Sequence, residues 1–227
     1  MELKDLTFGQ WLTYVFDHPE DDRDWHFDID ADWWNEGENP LRTLEYLARL
    51  FRNMHSATAQ YSEAQIAHGL WFLASNACSN HMHCLFDGQI LWTAREPTFS
   101  AIYTLYAQYF VRRCTAHLSH TIYSVMPPNI SPLNSICYMW WDMDWFSPQP
   151  NNLIRYDIDS MCLDIMERTL HLKSMACQEA ALHGLGHWKF GYPERVTRAI
   201  DAYLEREPAL PDALKAYALA AREGCVL

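Results

Sequence analysis

The stretch CQEAALHGLGHW, residues Cys177–Trp188, decides the fold of this chain. Its small residues would let a neighbouring helix come close, and its leucines would fill the contact. Glycine inside a helix is unfavourable by roughly 1 kcal/mol relative to alanine, so a pair of glycines here indicates close packing. We therefore expect Gly184 and Gly186 to face a neighbouring helix at close approach.

Helical patterns continue on both sides of this stretch. Apolar residues recur at helical spacing, and Ser, Asn, Asp and Pro mark helix starts. The predicted helices cover residues 6–16, 39–54, 62–77, 97–118, 131–144, 159–172, 174–190, 193–205 and 212–222. No segment alternates with period two for long. The sequence therefore predicts an all-α protein of stacked antiparallel helical hairpins, forming one domain over residues 1–227.

Acidic residues are concentrated at the start of the chain. The net charge is −12, and residues 1–40 hold 12 acidic and two basic residues, which gives −10 in this segment. An acidic surface repels phosphate backbones, which argues against direct nucleic-acid binding. The same charge favours a basic protein partner.

The cysteines and the apolar runs indicate a cytoplasmic protein. The seven cysteines are odd in number and include no CxxC pair, which is typical of reduced, mostly buried thiols. Residues 1–20 lack the basic start and apolar run of a signal peptide. The uncharged runs 64–86 and 114–141 carry polar residues or prolines that disfavour a membrane helix. We expect no membrane association.

Two parts of the chain repeat a short pattern. The segment AHGL at Ala67–Leu70 matches LHGL at Leu182–Leu185, and LEYLARLF before the first matches LDIMERTL before the second. In this respect the chain resembles HEAT and armadillo repeat proteins, most clearly over 159–227 and less so over 39–77. The ALHGLGH helix also resembles that of uncharacterised bacterial helical proteins, some of the immunity type. The resemblance implies a HEAT-like α-solenoid or an irregular helical bundle that acts as a binding scaffold, without catalytic residues.

Histidines supply the main alternative to a pure scaffold. His183 and His187 lie four residues apart, so one helix face could present both to a metal. The glutamate of HExxH is missing, which excludes a zinc protease of that type. His68 occupies the place of His183 in the earlier repeat, which favours a packing role for this position. The prediction is therefore no metal ligand and no cofactor.

The sequence contains two weaker metal patterns. His81 and His83 with Cys78 and Cys84 lack a second ligand pair at tetrahedral spacing, so zinc is disfavoured there. The segment Asp28-x-Asp30-x-Asp32 resembles the start of a calcium loop. It has Trp at position six and Asn at position twelve, which excludes an EF-hand but leaves an irregular ion site open.

The segment 18–39 combines carboxylates with large aromatic side chains. These aromatics could pack beneath the segment as a small buried cluster, or they could serve as interface anchors while the carboxylates steer a basic partner. Residues 140–145 have the same character. The predicted partner-binding residues are Asp22, Asp24, Trp25, Asp28, Asp30, Asp32, Trp33 and Trp34 in the first segment, and Trp141, Asp142, Asp144 and Trp145 in the second.

The sequence favours a binding function over catalysis. No GxSxG, Walker or GxGxxG pattern is present, and no catalytic residue is predicted. We expect a scaffold that binds a basic protein, in its most concrete form a bacterial immunity or antitoxin-like protein that covers a toxin. The alternative is an enzyme or ligand-binding protein with a histidine-lined pocket for a metal or small molecule. Convergence of His68, His81, His83, His183 and His187 around a cavity would favour that alternative.

Overall fold

The structure, a computed structural model, describes residues 5–22, 24–28, 34, 39–121 and 129–226. Every regular element in these ranges is helical, and none of the described residues belongs to a β-strand. The predicted all-α class is confirmed.

The first seven elements are α1 Phe8–Phe16, a 3-10 turn Trp25–Phe27, α2 Pro40–Arg52, α3 Met54–Ala57, α4 Glu63–Ala74, α5 His83–Phe86 and α6 Trp92–Thr104. The chain continues through a π-helical turn Leu105–Phe110, α7 Val111–Arg113, a 3-10 turn Ser119–Thr121, α8 Leu133–Met139, and 3-10 turns Trp140–Asp142, Asp144–Phe146 and Leu153–Arg155. The last four helices are α9 Tyr156–Thr169, α10 Met175–Trp188, α11 Pro193–Arg206 and α12 Asp212–Arg222.

Side-chain caps fix several helix starts where the sequence predicts them. Ser62 and Gln65 form a reciprocal capping box at α4, so that two of the four backbone N–H groups that a helix start leaves unpaired find an acceptor. Thr7 does the same with Gln10 at α1. The Ser174 hydroxyl accepts from the Cys177 N–H at α10. Each cap requires only local residues, which is why the sequence located the starts of α4 and α10, whereas the predicted start of α1 lies two residues before Phe8.

The predicted start of α6 is wrong because it was placed at a proline. We expected a helix to open at Pro97, but α6 begins at Trp92 and contains Pro97 in its interior. A proline inside a helix removes one backbone hydrogen bond. The Pro97 carbonyl still accepts from the Arg52 guanidinium at 2.7 Å, and the Thr98 hydroxyl donates to the Leu44 carbonyl at 3.0 Å. These side-chain contacts to α2 hold α6 in place.

The contacts divide the chain into two compact units, residues 1–105 and 106–227. In the first unit α2 packs against α5 and α6, and α1 packs against α4. Its core contains the fully buried Trp11, Leu47 and Leu70. The prediction of one domain over 1–227 stays a prediction.

Helix α10 is the centre of the second unit. It packs against α8, α9, α11 and α12 and against the 3-10 turn Trp140–Asp142. All its residues from Glu179 to Gly186 are buried. The stretch Cys177–Trp188 therefore lies in the most enclosed helix of this unit.

The two glycines of α10 have different neighbours. A Cβ atom at Gly184 would lie 2.5 Å from Met166 Sδ in α9 and 2.6 Å from Trp141 Cβ. The predicted close approach to a helix is therefore confirmed for Gly184. A Cβ at Gly186 would lie 2.6 Å from Val226 Cγ2, beyond α12, so the prediction is wrong for this glycine. The chain reverses after α12 because Gly224 adopts a φ of 76°, which favours glycine.

Asp159 was expected to cap a helix, but α9 begins three residues earlier, at Tyr156. The Asp159 carboxylate is fully buried and accepts from the Gln149 N–H at 2.7 Å and the Tyr192 hydroxyl at 2.8 Å. The buried Arg155 guanidinium Nε lies 3.5 Å from the same carboxylate. Tertiary contacts therefore replaced the local role that the sequence suggested.

No disulfide joins any of the seven cysteines, all of which lie among the described residues; Cys84, Cys137, Cys162 and Cys177 are buried. Of the helices in the described ranges, none has both the length and the apolar character needed to cross a bilayer.

Candidate functional site

The acidic segment, residues 17–39, exposes to solvent every carboxylate that the structure describes in it. Its exposed acidic residues among those described are Asp17, Glu20, Asp21, Asp22, Asp24 and Asp28. Asp30, Asp32 and Trp33 lie outside the described residues. Phe27, in the same segment, is 65% exposed and lies between the half-buried His26 and the exposed Asp28.

Two predicted anchors of this segment are interior side chains. Trp25 is buried, with its ring stacked on His18 at a centroid distance of 3.6 Å and in contact with Phe72. Trp34 is buried, and its indole N–H donates to the Thr43 hydroxyl at 3.3 Å. This is the buried-cluster alternative that the sequence left open, and it replaces the expectation that these two indoles are exposed. Burial lets them stabilise the first unit but removes them from the surface a partner would meet.

Histidine 18 ties the acidic segment to the first unit. Its Nε2 lies 2.7 Å from the Tyr14 carbonyl, and its own carbonyl accepts from the Gln65 side-chain amide at 2.8 Å. Burial lowers the pKa of His18, and the contact with the Tyr14 carbonyl partly opposes this. A neutral imidazole that donates to a carbonyl suits this structural role.

The second predicted segment, residues 140–145, also contains both buried and exposed side chains. Trp141 is buried against Tyr106 and Phe146, so it is also an interior side chain rather than an exposed anchor. Trp145 is half-buried, and Asp142 and Asp144 are exposed.

Asp142 meets the two histidines of α10. His183 and His187 share one face of the helix because they are four residues apart, and their Nε2 atoms are 3.3 Å apart. The 3-10 turn Trp140–Asp142 places Asp142 Oδ1 3.3 Å from His187 Nε2 and Asp142 Oδ2 4.0 Å from His183 Nε2. One ligand atom from each residue lies within 4.8 Å of the other two. Within the described ranges, no other set of three His, Cys, Asp or Glu side chains meets this criterion.

Two tyrosines support His183 from behind. The Tyr217 hydroxyl of α12 lies 2.8 Å from His183 Nδ1, and the Tyr138 hydroxyl of α8 lies 2.9 Å from that of Tyr217. The Tyr138 ring also packs on the His183 ring at 4.1 Å. His183 is therefore held on both its edge and its face.

A buried carboxylate extends this network by one helical turn. Glu179 is fully buried in α10 and accepts from the backbone N–H groups of Ser119 and His120 at 2.8 and 2.9 Å. His120 Nδ1 lies 2.6 Å from the same carboxylate, and the His120 ring stacks on Tyr217 at 4.1 Å. The sequence does not single out Glu179, because its partners are about 60 residues away.

The protonation of this network follows from its burial. Burial lowers the pKa of His183 to about 3, and the nearby His187 and His120 add to the effect. Burial also raises the pKa of Tyr138 to about 12 and raises that of Tyr217 further. His183 is therefore neutral at physiological pH, which is the form of imidazole that binds a metal.

Histidine 81 of the first unit has a packing role. The Trp11 indole N–H donates to its Nε2 at 3.1 Å, and the Ser79 hydroxyl lies 3.0 Å from its Nδ1. Both ring nitrogens of His81 are thus engaged within the protein.

No family model, curated protein or solved structure matches this chain. The case for a function therefore rests on the acidic segment and on the Asp142–His183–His187 cluster.

Proposed function

We propose that this protein is a helical scaffold that binds a basic protein partner through its acidic segment. The observation that carries the proposal is the set of six exposed carboxylates within residues 17–28. In its most concrete form the protein is a cytoplasmic bacterial immunity or antitoxin-like protein, with a HEAT-like arrangement of helices, that covers the active site of a basic toxin.

The concentration of charge supports steering of a partner. Exposed charges act over roughly 8 Å at physiological ionic strength. The attractions of carboxylates clustered in one short segment therefore add up at one place on a partner, whereas those of dispersed carboxylates do not. Such complementarity mainly raises the association rate and makes it depend on salt.

The way the segment is held also supports binding. Trp25 is packed into the first unit, and His18 is hydrogen-bonded at both its ring and its carbonyl. Carboxylates on a fixed support lose less conformational entropy on binding than those on a freely moving chain. Phe27 then replaces the buried indoles as the exposed aromatic anchor.

The test compares two triple variants of equal charge. Asp22→Asn, Asp24→Asn and Asp28→Asn together change the acidic segment, and Glu194→Gln, Glu205→Gln and Asp212→Asn change exposed acids of the second unit. With a partner captured by pull-down and identified, the first set should slow association at least about tenfold and weaken its salt dependence. The second set should leave association close to wild type.

Phe27→Ala should mainly accelerate dissociation, because an anchor leaves its pocket empty. The urea midpoint of each variant checks that the fold is intact, and exposed substitutions should hardly move it. Equal kinetics for the two triple variants and for Phe27→Ala would remove the acidic segment as the interface.

A histidine-lined site for a metal or a small molecule is the second candidate function. The observation that favours it is the meeting of Asp142 with His183 and His187.

A further inference from the structure

We propose that Asp142, His183 and His187 form a binding site for one divalent transition-metal ion, with Zn²⁺ as its best-suited occupant. This inference rests on the second candidate function, whose site it specifies, and it is independent of the acidic segment, which belongs to the first unit.

The distances between the donor atoms fit a small tetrahedral ion. With metal–nitrogen distances of 2.0–2.1 Å, two ligands of a tetrahedral zinc are about 3.3 Å apart. His183 Nε2 and His187 Nε2 are 3.3 Å apart, and Asp142 Oδ1 is 3.3 Å from His187 Nε2. The third contact, from His183 Nε2, runs to the other carboxylate oxygen, Asp142 Oδ2, at 4.0 Å, so closing the third edge on Oδ1 requires the carboxylate to rotate. Because the Asp142 side chain is 36% exposed, a small rotation can close this edge.

Gly184 of α10 explains how the Asp142 carboxylate comes to lie beside His183 and His187. Gly184 follows His183 directly, and its missing Cβ makes room for Trp141 Cβ. This contact seats the Trp140–Asp142 turn on α10. The next residue, Asp142, is thereby placed beside the face that carries both imidazoles. The tight glycine contact and the donor cluster are two parts of one arrangement.

The tyrosines supply the support that metal-binding histidines usually have. A histidine that binds a metal through Nε2 commonly donates its Nδ1–H to a neighbouring acceptor, which fixes the tautomer and the ring orientation. The Tyr217 hydroxyl stands at that position for His183, and its own proton can go to the Tyr138 hydroxyl. In this arrangement the lone pair of His183 Nε2 points toward Asp142 and His187.

The donor set selects the class of metal. Two imidazoles with one carboxylate suit Zn²⁺ and other first-row transition ions, whereas Mg²⁺ and Ca²⁺ prefer oxygen ligands throughout. Three protein ligands leave a fourth position for water or another small ligand. The side chains of His187 and Asp142 are 35% and 36% exposed, so this position faces solvent.

The experiment titrates the full chain, freed of metal with a chelator, with ZnCl₂ by calorimetry and with CoCl₂ by visible absorption. Wild type should bind one equivalent. Asp142→Asn and His187→Gln should each weaken binding at least about 100-fold, more than the roughly 10–100-fold that loss of a supporting residue costs. His55→Gln, a change at an exposed histidine of α3, is the matched control and should leave the affinity unchanged.

Three results would overturn the proposal. One is the absence of Zn²⁺ heat and Co²⁺ absorption at millimolar metal, which would mean a hydrogen-bonded network only. Another is a Co²⁺ spectrum with a thiolate charge-transfer band, which would assign the metal to cysteine. The third is equal affinity of wild type, Asp142→Asn and His187→Gln. Both test variants change partly exposed side chains, and circular dichroism of each variant checks that it folds.

Tyr217→Phe tests the positioning role of its hydroxyl separately. The affinity for Zn²⁺ should fall roughly 10–100-fold, and the ¹⁵N shift of His183 Nε2 should report a changed tautomer population in the metal-free protein. A lower stability with unchanged affinity and unchanged shifts would mean that Tyr217 is structural only.

Discussion

Helices α4 and α10 share the sequence His-Gly-Leu but use it differently. In α4, a Cβ on Gly69 would overlap the Phe16 ring, and in α10 a Cβ on Gly184 would overlap Trp141 and Met166. Both glycines therefore allow a bulky side chain to reach the helix. The preceding histidines differ, because His68 is half-buried and His183 is fully buried against Tyr217.

The residues one turn away account for this difference. Four positions before and after His68 the chain has Ala64 and Phe72, whereas around His183 it has Glu179 and His187. The same packing motif is thus set among apolar neighbours in α4 and among polar neighbours in α10. The comparison teaches that the glycine determines how closely the elements approach, and that the flanking positions determine whether chemistry is available there.

Removing the buried carboxylate of α10 should have the largest effect. Glu179→Ala leaves two backbone N–H groups and His120 Nδ1 without their acceptor, and we expect a loss of about 3 kcal/mol in unfolding free energy. Glu63→Ala, in the first turn of α4, should cost less than about 1 kcal/mol because this residue is not fully buried. Urea denaturation measures the unfolding free energy of both variants. Equal losses of unfolding free energy would contradict the proposed difference between polar neighbours in α10 and apolar neighbours in α4.

Substitution of the two glycines of α10 tests how tightly this helix is packed at each position. Gly184→Ala should destabilise by about 1–2 kcal/mol, since overpacking exceeds the gain in helix propensity. Gly186→Ala should change stability little, because Val226 is only half-buried and can shift. Denaturant midpoints decide this, and a neutral Gly184→Ala would show that Met166 and Trp141 are not confined as the structure has them.

The buried histidine should make stability depend on pH. Burial lowers the pKa of His183 to about 3 from an ordinary 6.5. In the window between these values the unfolded chain binds a proton that the folded chain does not, so stability falls as the pH falls. Between about pH 7.5 and 5.5, and with a chelator present, wild type should lose about 1 kcal/mol more than His183→Gln. Parallel pH profiles of the two proteins would contradict the neutral, buried state of His183.

Much of the fold was accessible from sequence because its determinants are local. Capping residues located the starts of α4 and α10, and Gly224 marked the end of α12. The early start of α6 was missed because a proline in the sequence does not show whether side-chain contacts will compensate for the lost hydrogen bond. The true start of α9 was missed because Asp159 serves Gln149 and Tyr192 rather than a helix end.

The candidate sites were accessible only in part. The spacing of the α10 histidines was noted, but the prediction favoured packing and named no metal ligand, and Asp142, more than 40 residues earlier, was assigned to partner binding because of its charge. Nothing in the sequence pairs these residues. The Gly184 contact that brings them together is a tertiary one. Composition likewise predicted the acidic segment, but it could not show which aromatics are buried, and it gave no weight to Phe27.

The buried thiols have a practical consequence. Cys84 lies in the interior of the first unit, and Cys162 lies in the interior of the second, where burial raises its pKa. A buried thiol reacts with a modifying reagent only after its surroundings open transiently. The rate at which each cysteine is alkylated, followed peptide by peptide in a mass spectrometer, therefore reports how often each half of the native molecule opens, without any introduced label.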